Sequence, residues 1–144
     1  MKPPFSIALI SLPGAHLAQL SQRLCDLTGR DNAVDSEIIG AARGRIYVLP
    51  SDFFETSGAS ALDAFRADGG KVVFVRLDWT QSFRSVTRGA SGDAAGLPWR
   101  TAYRHLARER TRQLEEFSDV CVDGSGTLAE IADRVHLALS DFEA

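Results

Sequence analysis

The 144-residue chain has only two cysteines and no excess of positive charge; 16 Lys and Arg stand against 19 Asp and Glu, a formal net charge of −3. Each scarcity removes a class of protein. Cys25 and Cys121 lie far apart within apolar segments, so a disulfide framework is excluded and both read as buried reduced thiols. The acidic balance argues against nucleic acid, whose binding domains carry a basic footprint. No apolar run reaches the roughly 20 residues of a transmembrane helix. The short apolar stretch after Phe5 has neither the length nor the small-residue cleavage pattern of a secretory leader. No membrane association and a cytoplasmic location are the expectations. His105 and His136 have no second ligand at metal spacing, and no serine, cysteine or histidine constellation suggests a hydrolase.

What is present is an ordinary globular composition, 44% hydrophobic and 24% charged, in a length suited to a single domain over residues 1–144. Residues 7–10 are continuously apolar, as in a strand buried on both faces of a parallel sheet. A turn with Pro13 and Gly14 follows. Leu17, Leu20, Leu24 and Leu27 then recur at helical spacing, and Gly29 suits the C-cap. Further strands are expected at 33–34, 45–49, 71–77 and 120–122. Further helices are expected at 60–68, 81–88, 99–117 and 128–139. The helix over 99–117 carries Arg100, Arg104, Arg108, Arg110 and Arg112. Strands alternating with helices predict an α/β fold, a three-layer α/β/α sandwich around a five-stranded parallel sheet. Ligands in such sheets bind beyond the carboxyl ends of the strands. The places to search are 11–18, 35–37, 50–53 and Asp78-Trp79, the last read as a strand-end turn with a packed indole, with a binding role for Trp79 as the alternative.

Four stretches in order, IALISLPGAHLAQLSQRLCDLTG, AVDSEII, GGKVVFVRLDWTQSFRSVTRG and LARERTRQLEEFSDVCVDGSGTLAEIADRVHLAL, resemble shikimate kinase. That family belongs to the nucleoside monophosphate kinase-like P-loop proteins. The resemblance implies the P-loop NTPase fold. It assigns the phosphate loop to 11–19 and an acidic pair, for Mg²⁺ and the substrate hydroxyl, to Asp35 and Glu37. It also places the adenine-side arginine at Arg88 and the substrate-carboxylate arginine at Arg110.

Several functional positions depart from the pattern. A phosphate loop reads G-x-x-x-x-G-K-[ST]: glycines turn backbone N–H groups toward phosphate, the lysine bridges the β- and γ-phosphates, and the hydroxyl holds Mg²⁺. Here Ser11 and His16 replace the glycines, Leu17 the lysine and Ala18 the hydroxyl. Loss of the lysine forfeits a charge-assisted contact of about 1.5–3 kcal/mol and a larger role in phosphoryl transfer, which depends on positioning and charge stabilisation. Leu17 then reads as part of the helix's apolar stripe, while Gly14, Ala15 and His16 remain as a degenerate nucleotide-binding loop. Residues 38–50 are too few for the family's inserted substrate segment, leaving Arg43 or Arg45 as the arginines nearest that space. Pro50-Ser51-Asp52 replaces a glycine-rich turn, and Leu97 replaces the lid arginine. Asp35, the candidate catalytic and metal-binding residue, and Glu37 serve equally as solvated loop carboxylates or a helix cap. Arg110 serves equally as a substrate ligand or as part of a salt-bridged face with Glu109, Glu115 and Glu116.

The leading expectation is a catalytically inactive, shikimate kinase-like protein retained as a binding or regulatory module without a cofactor. Its partner would be a protein, gripping the arginine helix or Phe53-Phe54, or a small anionic ligand. The alternative is an atypical small-molecule kinase using Mg·ATP. A third reading is a sensor that holds a hydroxylated acid through Glu37 and Arg110.

Overall fold

The computed structural model of the chain describes residues 5–33, 44–49, 58–87 and 97–143. Five strands, β1 (Ile7–Ile10), β2 (Asp31–Ala33), β3 (Arg45–Val48), β4 (Lys71–Arg76) and β5 (Val120–Asp123), form one parallel sheet in the order β2-β3-β1-β4-β5. Among the described residues five helices accompany them: α1 (Leu17–Thr28), α2 (Gly58–Ala67), α3 (Trp79–Thr87), α4 (Leu97–Phe117) and α5 (Leu128–Glu143).

The period-2 geometry of a strand sends successive side chains to opposite faces, and here both faces are apolar. Ile7, Leu9, Ile46, Val73, Val75 and Val122 meet Leu20 and Leu24 of α1 and Ile131, Val135 and Leu139 of α5. Their neighbours Ala8, Ile10, Tyr47, Val72 and Phe74 meet Leu62 and Phe65 of α2 and Leu114 of α4. Each such side chain, fully buried, contributes about 1.5–3 kcal/mol, which is why the central strands read as unbroken apolar runs. The expected α/β/α architecture is therefore the observed one.

The boundaries differ from expectation where side chains cap or extend an element. Helix α3 begins at Trp79, because Asp78 accepts the Thr80 hydroxyl (2.7 Å) and faces its amide (3.5 Å). Asp78 is thus a helix cap, and Trp79 lies in the first turn of the helix. Helix α4 begins two residues early, with Pro98 in its first turn, where a missing N–H costs nothing. Strand β2 pairs over 31–33, ahead of the expected span.

Two burial expectations fail. Leu27, placed on the apolar stripe of α1, is 43% exposed. Cys121 is exposed because β5 is an edge strand whose Val120 and Val122 face the α1/α5 core while Cys121 points the other way. Cys25 is half-buried, and burial, reinforced by Asp26 and Asp31 against a Ser21 hydrogen bond, pushes its thiol pKa up. A thiol so shifted is a poor nucleophile.

Candidate functional site at the carboxyl edge of the sheet

Ser11 follows β1 directly and is buried. Its hydroxyl donates to the Val75 carbonyl at 2.5 Å, tying the start of the loop to β4. The position that the resemblance gives to a phosphate-loop glycine thus holds a serine whose proton is committed to the scaffold. Gly14 has φ +101, and a Cβ there would meet Ser85 Cβ at 2.7 Å. The loop turns into α1 through His16, whose φ of 52° and ψ of 47° make it left-handed, a region that favours glycine. Helix α1 has no side-chain cap and no acidic residue in its first turn.

Leu17, at the lysine position, is half-buried and packs on the core cluster between α1, α5 and the sheet. Its side chain is accounted for by packing. The exposed Ala18 offers no hydroxyl.

Gly14, Ala15 and His16 form one wall of a cavity of about 370 Å³ at the carboxyl ends of β1, β4 and β5. Gln19 of α1 and Gln81 of α3 supply amides, and Leu77, Leu128 and Ile131 an apolar floor. Gly124 and Gly126 close it from the β5–α5 turn. No Lys, Arg, Asp or Glu is among the described residues that line it. Such a cavity offers amide and backbone hydrogen bonds and apolar contact. Its described lining holds no fixed charge to set against a polyphosphate.

The β5–α5 turn was not among the places the sequence pointed to, and it is densely hydrogen-bonded. Asp123 accepts the Ser125 amide at 2.9 Å and the Ser125 hydroxyl at 2.8 Å. Those two bonds, followed by the charges of Arg134 and Arg76, hold the Asp123 carboxyl below its ordinary pKa. Thr127 and Glu130 form a reciprocal capping box: the Glu130 amide donates to the Thr127 hydroxyl (3.2 Å), and the Thr127 amide to the Glu130 carboxylate (3.3 Å). The Thr127 hydroxyl also donates to that carboxylate (3.0 Å), and these bonds lower the Glu130 pKa. Thr-x-x-Glu after a Gly-Ser-Gly run is the sequence signal that locates this turn.

A second cavity of about 370 Å³ lies across Leu77, lined by Arg76, Asp78, Trp79, Arg108, Thr111 and Asp123. Arg76 is ion-paired with Glu115 of α4. Arg110 is half-buried on the same helix and lines neither of these cavities. Arg45, considered for the substrate side, opens β3 at its amino end, the edge remote from the loop. Asp35, Glu37, Arg43, Pro50, Ser51, Asp52, Phe53, Phe54 and Arg88 lie outside the described residues. The structure thus brings together Gly14, Ala15 and His16 of the sequence-derived site. Among the described residues no group of three or more His, Cys, Asp or Glu is placed to hold a metal. No described helix is long and apolar enough to cross a membrane.

No protein-family model matches the sequence, and no curated protein sequence matches it significantly. Solved structures do match. Shikimate kinase from Acinetobacter baumannii, in complex with shikimate, aligns with a TM-score of 0.71 at 16% identity, over 96% of this chain and 94% of its own. Shikimate kinase from Aquifex aeolicus aligns at 0.63 and 15% identity, over 96% and 98%. A gluconokinase from Sinorhizobium meliloti aligns at 0.63 and 13% identity, over 99% and 95%. Identities this low speak for the backbone alone, and the backbone is that of the shikimate kinase-like P-loop fold.

Proposed function

We propose that this chain is a kinase-fold module that has given up phosphoryl transfer and acts by binding, in a regulatory or ligand-holding role. The observation that carries the reading is that no described lysine is available to the loop. The chain has two lysines. Lys71 opens β4 at its amino end, with its ammonium 4.8 Å from the Phe142 ring centroid. A six-residue strand puts that end roughly 20 Å from the carboxyl edge. Lys2 lies outside the described residues. Leu17 is occupied in packing, and the cavity beside it carries no fixed charge among its described lining. Phosphoryl transfer needs charge placed against the phosphates, and that charge is what this loop lacks.

Isothermal titration with Mg·ATP, alone and with shikimate, tests the reading, together with a coupled assay for ADP release. The expected outcome is no saturable heat at millimolar nucleotide and no turnover. Saturable binding in the micromolar range with turnover would overturn it.

The second reading, an atypical Mg·ATP-dependent small-molecule kinase, draws on the positive φ kept at Gly14 and His16 and on the open cavity they border. It requires turnover that Asp35→Ala abolishes.

A further inference from the structure

Helix α4 carries Arg100 and Arg104 one turn apart, and both guanidinium carbons lie near the same indole, 5.5 and 5.7 Å from the Trp79 ring centroid. Both side chains are exposed, and neither has a carboxylate partner among the described residues. Other arginines of the chain are neutralised: Arg76 by Glu115, Arg66 by Asp119 and Arg112 by Glu109. Two like charges held at one ring repel each other. The aromatic face offsets part of that repulsion, and an anion between them would offset more.

There is room for one. A cavity of about 150 Å³ lies beside Arg100, lined by Trp79, Thr80, Phe83, Arg84 and Arg100, and Arg104 reaches it only across the shared Trp79 ring. It is several times the roughly 30 Å³ share of one water molecule and smaller than the roughly 300–1,000 Å³ of drug-sized ligand sites. The nearby carboxylate of Asp78 is turned to the start of α3, where it takes the Thr80 hydroxyl. Trp79 and Phe83 are in tilted contact, their centroids 6.5 Å apart, and supply an apolar wall.

We propose that Trp79, Phe83, Arg84, Arg100 and Arg104 form an oxyanion seat, distinct from the loop cavity, that takes the phosphate or carboxylate group of a small molecule. The guanidinium forks suit either group, since each presents paired oxygens to paired N–H donors. Trp79 also packs on the small cluster of Leu12, Leu77 and Ala107, the first of which belongs to the loop, so an occupant of the seat would press on the loop through the indole. The seat holds whether or not the loop binds nucleotide, because no residue of the loop lines it.

The chain has two tryptophans, so a Trp99→Phe background leaves Trp79 as the sole reporter. Its emission is followed at low ionic strength during titration with inorganic phosphate, phenyl phosphate and benzoate. The expected result is saturable change with at least one probe at millimolar concentration or below, weakened at least tenfold in R100Q/R104Q and partly restored in R100K/R104K. Saturation by the two phosphates alone assigns the seat to phosphate, and equal saturation by benzoate assigns it to oxyanions of both kinds. No saturation by any probe, or saturation unchanged in R100Q/R104Q, overturns the proposal. Circular dichroism checks that the variants fold, and R100Q alone serves where the double variant does not.

Discussion

The two turns that border the loop cavity begin helices lying side by side on one face of the sheet, and they are built in opposite ways. Before α5, side chains and backbone bond one another: Asp123 holds Ser125, Thr127 and Glu130 cap each other, and Arg134 donates to the carbonyls of Asp123 (2.9 Å) and Ser125. Before α1, the chain passes through a left-handed histidine into an uncapped first turn. One turn has been settled by local hydrogen bonds. The other keeps a backbone that glycine would hold at lower cost, and its N-cap residue, His16, makes no side-chain cap. Strain of this kind costs about 1–3 kcal/mol and persists only where the surrounding structure over-determines it. What over-determines it here is visible: Ser11 pinned to Val75, Gly14 wedged against Ser85, and Leu17 drawn into the core.

The sharpest way to break the comparison is at the glycine each turn requires. A Cβ on Gly14 would enter both a disfavoured φ and the Ser85 side chain, so Gly14→Ala should cost about 3 kcal/mol of stability. A Cβ on Gly124 would meet the Arg76 carbonyl at 2.7 Å, a backbone atom that cannot rotate away. Gly124→Ala has no φ penalty to add and should cost about 2 kcal/mol. Urea unfolding measures both. Equal losses would mean that the left-handed loop backbone contributes nothing.

The capped turn should respond next. Thr127→Ala removes one side of the capping box and should cost about 1 kcal/mol. It should also change the acid response. Glu130 and Asp123 both have folded pKa values below their ordinary 4.5 and 3.8. Each therefore stabilises the fold above its ordinary value and loses that contribution as pH falls through the lowered one. The melting temperature should fall on acidification from about pH 4.5 downward, less steeply in Thr127→Ala and in Ser125→Ala. An identical slope in all three proteins would show that these bonds do not form in solution.

Much of the fold was legible in the sequence because its signals are local and redundant. KVVFVRL reads as a strand buried on both faces, and Gly29 and the Gly69-Gly70 pair as helix ends. The structure has β4 there, Gly29 at φ 75° and Gly69 at φ 100°. The departures have local causes of a subtler kind. Asp78 looked like a strand-end turn because one acid before a tryptophan is a weak cap signal until its partner Thr80 is weighed. Cys121 looked buried because an apolar strand does not announce that it is the edge of its sheet. The loop half of the candidate site followed from spacing, since 11–16 had to reach the carboxyl edge. The other half, at 123–127, was written in a Thr-x-x-Glu box that reads as helix capping and only by topology becomes a cavity wall. The pairing of Arg100 and Arg104 on Trp79 joins residues 21 and 25 positions apart in sequence, and no local pattern announces that.

The finest test separates strain from use at His16. If its left-handed backbone is merely tolerated, His16→Gly removes a penalty of roughly 1–2 kcal/mol, while the extra freedom of glycine in the unfolded chain returns roughly 0.4–1 kcal/mol of it. A net gain of about 0.5 kcal/mol is expected, small but resolvable as a shift of the urea midpoint at constant slope. A net loss would mean that the imidazole, exposed at the cavity wall, makes a contact worth more than the strain it imposes. That outcome would favour a working role for the loop over a vestigial one. The predicted gain would leave the loop as inherited geometry, held in place by Ser11, Gly14 and Leu17 and open to whatever neutral ligand its amides and apolar floor can hold.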